Sequence, residues 1–116
     1  MTEAHTYGRE AEARAAEFLE RNGFRVLERN YRCRAGEIDL VAMDGQTLVF
    51  VEVKARHSST YGSAAEAIDQ RKTVRLRKAA AAYLARRGVT GASDFLACRF
   101  DAILFNPEIE HLRDIL

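Results

Sequence analysis

In the run Val49-Phe50-Val51-Glu52-Val53-Lys54 every second residue is a valine. Side chains alternate across an extended strand, so Phe50, Glu52 and Lys54 share the face opposite the valines. A carboxylate and an ammonium then point the same way. Glu37 and Asp39 share a face by the same rule, and a hairpin joining the two runs can set Asp39 beside Glu52. Adjacent carboxylates repel unless a cation neutralises them. Magnesium and manganese take carboxylate oxygens and keep water for chemistry, so Asp39 and Glu52 are candidate metal ligands. An ion held there makes a bound water more acidic and stabilises charge on a phosphate undergoing in-line displacement. Lys54 is positioned to orient that water or to neutralise the developing charge. The same alternation also describes an ordinary half-exposed strand whose ion pair serves solubility and register. Two features weigh against that plainer reading: Phe50 keeps the face from being simply polar, and Gly36 permits close backbone approach just ahead of Glu37 and Asp39.

These residues need a scaffold, and the chain supplies recognisable pieces of one. Residues 8 to 22 place Ala11, Ala15, Ala16, Phe18 and Leu19 at helical spacing, with Gly23 as a left-handed stop. Phe24 to Tyr31 alternates apolar and basic residues like a strand. Gly36 to Met43 and Leu48 to Ala55 are β-rich runs joined through Asp44-Gly45, a dipeptide that tolerates the positive φ of a tight turn. Ala64 to Arg87 lacks glycine and proline, repeats apolar residues from Ile68 to Leu84, and stops at Gly88, which predicts one long helix or two abutting ones. Phe95 to Phe105 reads as a strand closed by Asn106-Pro107, and Ile109 to Leu112 as a short edge strand. The predicted order is α-β-β-β-α-β with a possible last strand.

At 116 residues, with 47% hydrophobic and 30% charged residues and one proline, the chain has the composition of a folded domain with one core. It shows no signal-like start, and its longest apolar stretch, Ala79 to Ala85, is too short to span a bilayer; the expectation is a soluble, cytoplasmic protein with no membrane partner. Cys33 and Cys98 lie far apart and form neither a zinc motif nor a disulfide framework. The formal charge is only +1, yet acids crowd residues 3 to 20 while Arg25, Arg29, Arg32 and Arg34 form one basic group and Arg71 to Arg87 another. A balanced total can hide a basic face.

With these residues in view, Gly36 to Arg56 (GEIDLVAMDGQTLVFVEVKAR) closely resembles the YraN-like family of uncharacterised bacterial proteins. Phe18-Leu19, the run from Gly23 to Asn30, Arg99-Phe100-Asp101 and Glu110-His111 are similar to the same family, so the resemblance spans nearly the whole chain. It implies one restriction-endonuclease-like domain over residues 1–116: an α/β fold of α-β-β-β-α-β order, with a mixed sheet flanked by helices. This is the PD-(D/E)xK superfamily, which includes Holliday-junction resolvases and RecB-like nucleases. The resemblance carries the signature acids onto Asp39 and Glu52 and the lysine onto Lys54, with Ile38 standing where the name has proline. In the resolvase-like branch a first-helix glutamate supplements the site, which implies Glu12. Helix geometry agrees, because Glu12 shares a side with Ala15, Ala16 and Leu19, and an acid on an apolar stripe needs a partner or a route to solvent. Lys72 matches a lysine of the family that would touch a phosphate; a solvated helix lysine is the plainer alternative. His57 and His111 are of a type that can ligate a metal, but a lone histidine near a strand end is more often a structural hydrogen-bonder, and neither is assigned to the site.

The expected function is a magnesium- or manganese-dependent nuclease that hydrolyses phosphodiester bonds in DNA. Asp39 and Glu52 bind metal, Lys54 assists the water, and Glu12 and Glu37 orient the site. Lys72, Arg71, Arg75, Arg34 and Arg56 hold the phosphate backbone without reading sequence. A homodimer would enlarge the DNA-facing surface. The alternative is a nucleic-acid-binding module that keeps the nuclease fold with little or no catalysis.

Overall fold

The computed structural model describes residues 3–55, 70–86, 97–105 and 108–116. The first helix, α1 (Glu3–Arg21), buries Ala11, Ala15, Ala16 and Leu19. It starts before the predicted residue 8 because Glu3 to Tyr7 contain no glycine or proline, whereas apolar spacing reports only the turns that pack. It ends in a Schellman motif: the N–H of Phe24 donates to the Leu19 carbonyl at 2.9 Å and that of Gly23 to the Glu20 carbonyl at 3.2 Å. Gly23 takes φ +88°, and Phe24 folds back into the same core as Leu19.

Five strands follow in spatial order: β1 (Arg25–Cys33), β2 (Gly36–Asp44), β3 (Thr47–Ala55), β4 (Ala97–Phe105) and β5 (Ile109–Leu112). The first three form an antiparallel meander, β3 pairs parallel to β4, and β5 closes the far edge antiparallel. The second helix, α2 (Gln70–Arg86), lies in the chain between the two parallel strands, as a parallel pair requires. The order is the α-β-β-β-α-β of a restriction-endonuclease-like core, with β5 added. Among the described residues no helix is long and apolar enough to cross a membrane.

The two helices cover opposite faces of the sheet. α1 packs on Leu40, Ala42, Val49, Val51, Ile103 and Phe105; α2 packs its Ala79, Ala80 and Tyr83 on Val41, Met43, Leu48 and Phe50. β2 is therefore buried without a break from Ile38 to Met43, as a strand covered on both sides must be. β1 reaches Cys33, beyond its predicted end, because Cys33 pairs with Gly36 across an Arg34-Ala35 turn. Its exposed arginines mark it as an edge, and a bulge between Val26 and Glu28 irregularises its pairing. Cys33 is half-buried and Cys98 exposed, both as free thiols.

Candidate metal centre

The β2–β3 hairpin closes at Asp44↔Thr47 and keeps its register as far as Leu40↔Val51, so the next residues outward are Asp39 and Glu52. There the Val53 N–H donates to Asp39 Oδ2 at 2.8 Å, a side-chain acceptor in a position where a regular ladder would use backbone. Asp39 and Glu52 are both buried, at 7% and 8% exposure.

Glu12, from the flank of the buried stripe of α1, and Glu37, two residues before Asp39, bring carboxylate oxygens to Asp39; all three lie within 4.8 Å of one another. Glu37 also accepts from Arg32 Nε at 2.7 Å. Burial pushes the Asp39 carboxyl up to about 8, and the charges of Glu52, Glu12 and Glu37 push in the same direction against the single Val53 hydrogen bond. Oxygen donors that cannot all stay charged side by side are the donor set of a hard divalent cation, so magnesium or manganese fits the residues present.

Cations border this acid group. Lys72 Nζ lies 2.8 Å from Glu52 Oε1, with side-chain exposures of 19% and 10%. Lys54, on the Glu52 face of β3, has its ammonium pKa lowered by burial and by neighbouring Lys72, with Glu52 and Asp39 opposing. A cleft of about 200 Å³ runs between β2, β3 and α2, lined by Gly36, Glu37, Asp39, Glu52, Lys72, Arg75 and Leu76. Gly36 takes φ +150°, a conformation that residues with side chains rarely adopt, while a Cβ there would meet Arg75 Cβ only in ordinary contact, at 3.7 Å.

Asp39, Glu52, Lys54, Glu12, Glu37, Lys72 and Arg75 thus meet at one end of the sheet. Arg71 and Arg34 are exposed, on the first turn of α2 and in the β1–β2 turn. Arg56 and His57 lie outside the described residues. Lys72 is an ion-paired residue of the cleft, in place of the solvated lysine that a charged helix face allows. Its signal was in the sequence, because Lys72 leads the stripe Leu76, Ala79, Ala80 and Tyr83 at spacings of four, seven, eight and eleven.

The sequence reading missed a second polar centre on the α1 face. Asp101, fully buried, accepts from Arg99 Nε at 2.9 Å, Arg99 Nη2 at 3.2 Å and the Asp114 N–H at 3.0 Å. His111 Nε2 stands 2.8 Å from Asp101 Oδ2, which places a proton on Nε2 because a carboxylate only accepts. His111 is thus the structural hydrogen-bonder expected. Arg99 also donates to Asp44 at 2.9 Å. The available signal was one acid inside the otherwise apolar run Phe100 to Phe105.

Residues 11–105 match the model of the uncharacterised protein family UPF0102. A UPF0102 protein of Moorella thermoacetica is 51% identical over 96 residues, 83% of this chain and 77% of that protein. One from Pelotomaculum thermopropionicum is 52% identical over 103 residues, 87% of this chain and 82% of its own length. One from Nitrosomonas eutropha is 44% identical over 116 residues, covering 98% and 96% of the two chains. The chain, YraN-like in the stretch from Gly36 to Arg56, belongs to the uncharacterised protein family UPF0102.

Proposed function

We propose that the cleft is the active site of a metal-dependent nuclease that hydrolyses phosphodiester bonds in DNA. The observation that carries this reading is Asp39, buried and pushed up to about 8, where a carboxylate group it forms with Glu12 and Glu37 meets a small cleft that Glu37, Asp39 and Glu52 line. A shifted acid in a cleft beside charge partners is the pattern that functional sites produce.

In this reading Asp39 is the central ligand, with Glu52 across the strand pair and Glu12 and Glu37 completing and orienting the donor set. Magnesium or manganese, when bound, acidifies a water and stabilises charge on the phosphoryl oxygens. Lys54, beside Glu52, would orient that water, and its lowered pKa makes proton exchange easier than for a solvated lysine. α2 carries Arg71, Lys72, Arg75, Arg77, Lys78 and Arg86 and no acid. With Arg34, its exposed arginines hold the sugar-phosphate backbone, a sequence-independent grip that weakens as salt rises.

The same acid-free helix favours the second reading, a nucleic-acid-binding module with little or no catalysis, because that grip does not need the carboxylates. Purified protein incubated with single-stranded, duplex and branched DNA, in manganese or in EDTA, separates the two. Manganese-dependent cutting that falls at least about a hundredfold in Asp39→Ala and Lys54→Ala supports the nuclease. Salt-sensitive binding without cutting on any of the three substrates leaves the binding module.

A further inference from the structure

Lys72 reaches the cleft from the first turn of α2, on the side of the helix that packs against the sheet, and its ammonium is already paired with Glu52 at 2.8 Å. Glu52 lines the same cleft as Asp39, whose carboxylate groups with those of Glu12 and Glu37. An ion that uses both Asp39 and Glu52 therefore has to compete with an ammonium for one of its ligands. Lysine suits that contest: it is a compact charge on four rotatable carbons and can leave without moving the helix, whereas a guanidinium would grip a carboxylate by two parallel bonds. Arg75, one turn further along α2, lines the same cleft, so a phosphate drawn to its guanidinium would also lie near Lys72.

We propose that Lys72 is the built-in counter-cation of the site: it holds Glu52 until a divalent ion takes that carboxylate, and then turns to a phosphate of the bound strand. The inference rests on the metal-dependent reading of the cleft. It makes Lys72 a competitor for metal in the free protein and a partner of DNA in the metal-loaded one.

Manganese affinity of the full chain, read by electron paramagnetic resonance without DNA, tests the first half. Lys72→Met should bind manganese on the order of tenfold more tightly than the unaltered chain, and Lys72→Arg no more tightly. Arg75→Met removes the same charge from the cleft wall but leaves the Lys72–Glu52 contact, and should change affinity by less than about threefold. Equal affinity for Lys72→Met and the unaltered chain, or equal gains for Lys72→Met and Arg75→Met, would overturn the exchange while leaving the metal site standing. Absence of manganese binding from every form would overturn the metal-dependent reading as well. A measurement on the unaltered chain avoids any folding defect: in a magnesium titration the Lys72 ammonium signal in nitrogen NMR should move in step with ion binding, and a fixed signal contradicts the proposal. For the second half, Lys72→Met should weaken DNA binding about fivefold in calcium and less than about twofold in EDTA. An equal loss in both conditions overturns it.

Discussion

Asp101 and Asp39 are both buried aspartates on central strands of one small sheet, and they are treated in opposite ways. Burial is the largest influence on each and acts to raise each pKa. At Asp101 the hydrogen bonds of His111, Arg99 and the Asp114 N–H, with the Arg99 charge, more than offset it and hold the carboxyl below its ordinary range. At Asp39 one backbone N–H opposes burial and three further acids, and the carboxyl rises to about 8. The first centre is satisfied by the protein alone; the second is completed only by a proton or a cation. A buried acid that folding does not need is better explained by chemistry than by stability.

The largest effect expected from this contrast is on stability. Asp101→Ala leaves Arg99 and His111 facing an empty place and should lose about 3–5 kcal/mol in urea unfolding. Asp39→Asn keeps an acceptor for the Val53 N–H and stays neutral without having to take up a proton on folding, and should gain on the order of 1 kcal/mol in metal-free protein at neutral pH. Similar losses at both positions would abolish the distinction.

A smaller effect appears in the pH dependence. Asp39 binds its proton more tightly in the folded chain than in the unfolded one, so its stabilising proton is fully present below about 4 and is lost as pH rises towards about 8. Metal-free stability should therefore fall across that window, and the fall should be shallower in Asp39→Asn. Asp101 has the opposite sign: its contribution is present above its ordinary pKa and disappears as pH drops below it.

Much of the scaffold was legible because local chemistry dictates it. Gly23 stops α1 through a motif that needs a positive φ, and the glycine of Asp44-Gly45 turns the hairpin at φ +61°. The two central turn residues are Gly45-Gln46, one position later than the dipeptide implies, since Asp44 still pairs with Thr47. The Arg34-Ala35 turn was not legible: neither residue favours a turn, and the unusual backbone falls on Gly36 after it. At the candidate site, strand alternation and the family resemblance together brought Glu37, Asp39, Glu52 and Lys54 forward. What they did not give was the ion pair between Lys72 and Glu52: the helical stripe puts Lys72 on the packed side of α2, but its partner depends on where along the sheet the helix docks. The Asp101 centre was hidden for a similar reason: its partners come from β4, β5 and the residues after β5, and Arg99 reaches on to Asp44 at the end of β2.

The most direct test of the account is manganese binding to the unaltered chain and to Asp39→Asn by titration calorimetry at neutral pH, in two buffers of different ionisation enthalpy. The account predicts binding to the unaltered chain with release of a proton, visible as a buffer-dependent heat, and its loss in Asp39→Asn. Failure of the unaltered chain to bind manganese, or binding of equal strength by both proteins, would contradict it.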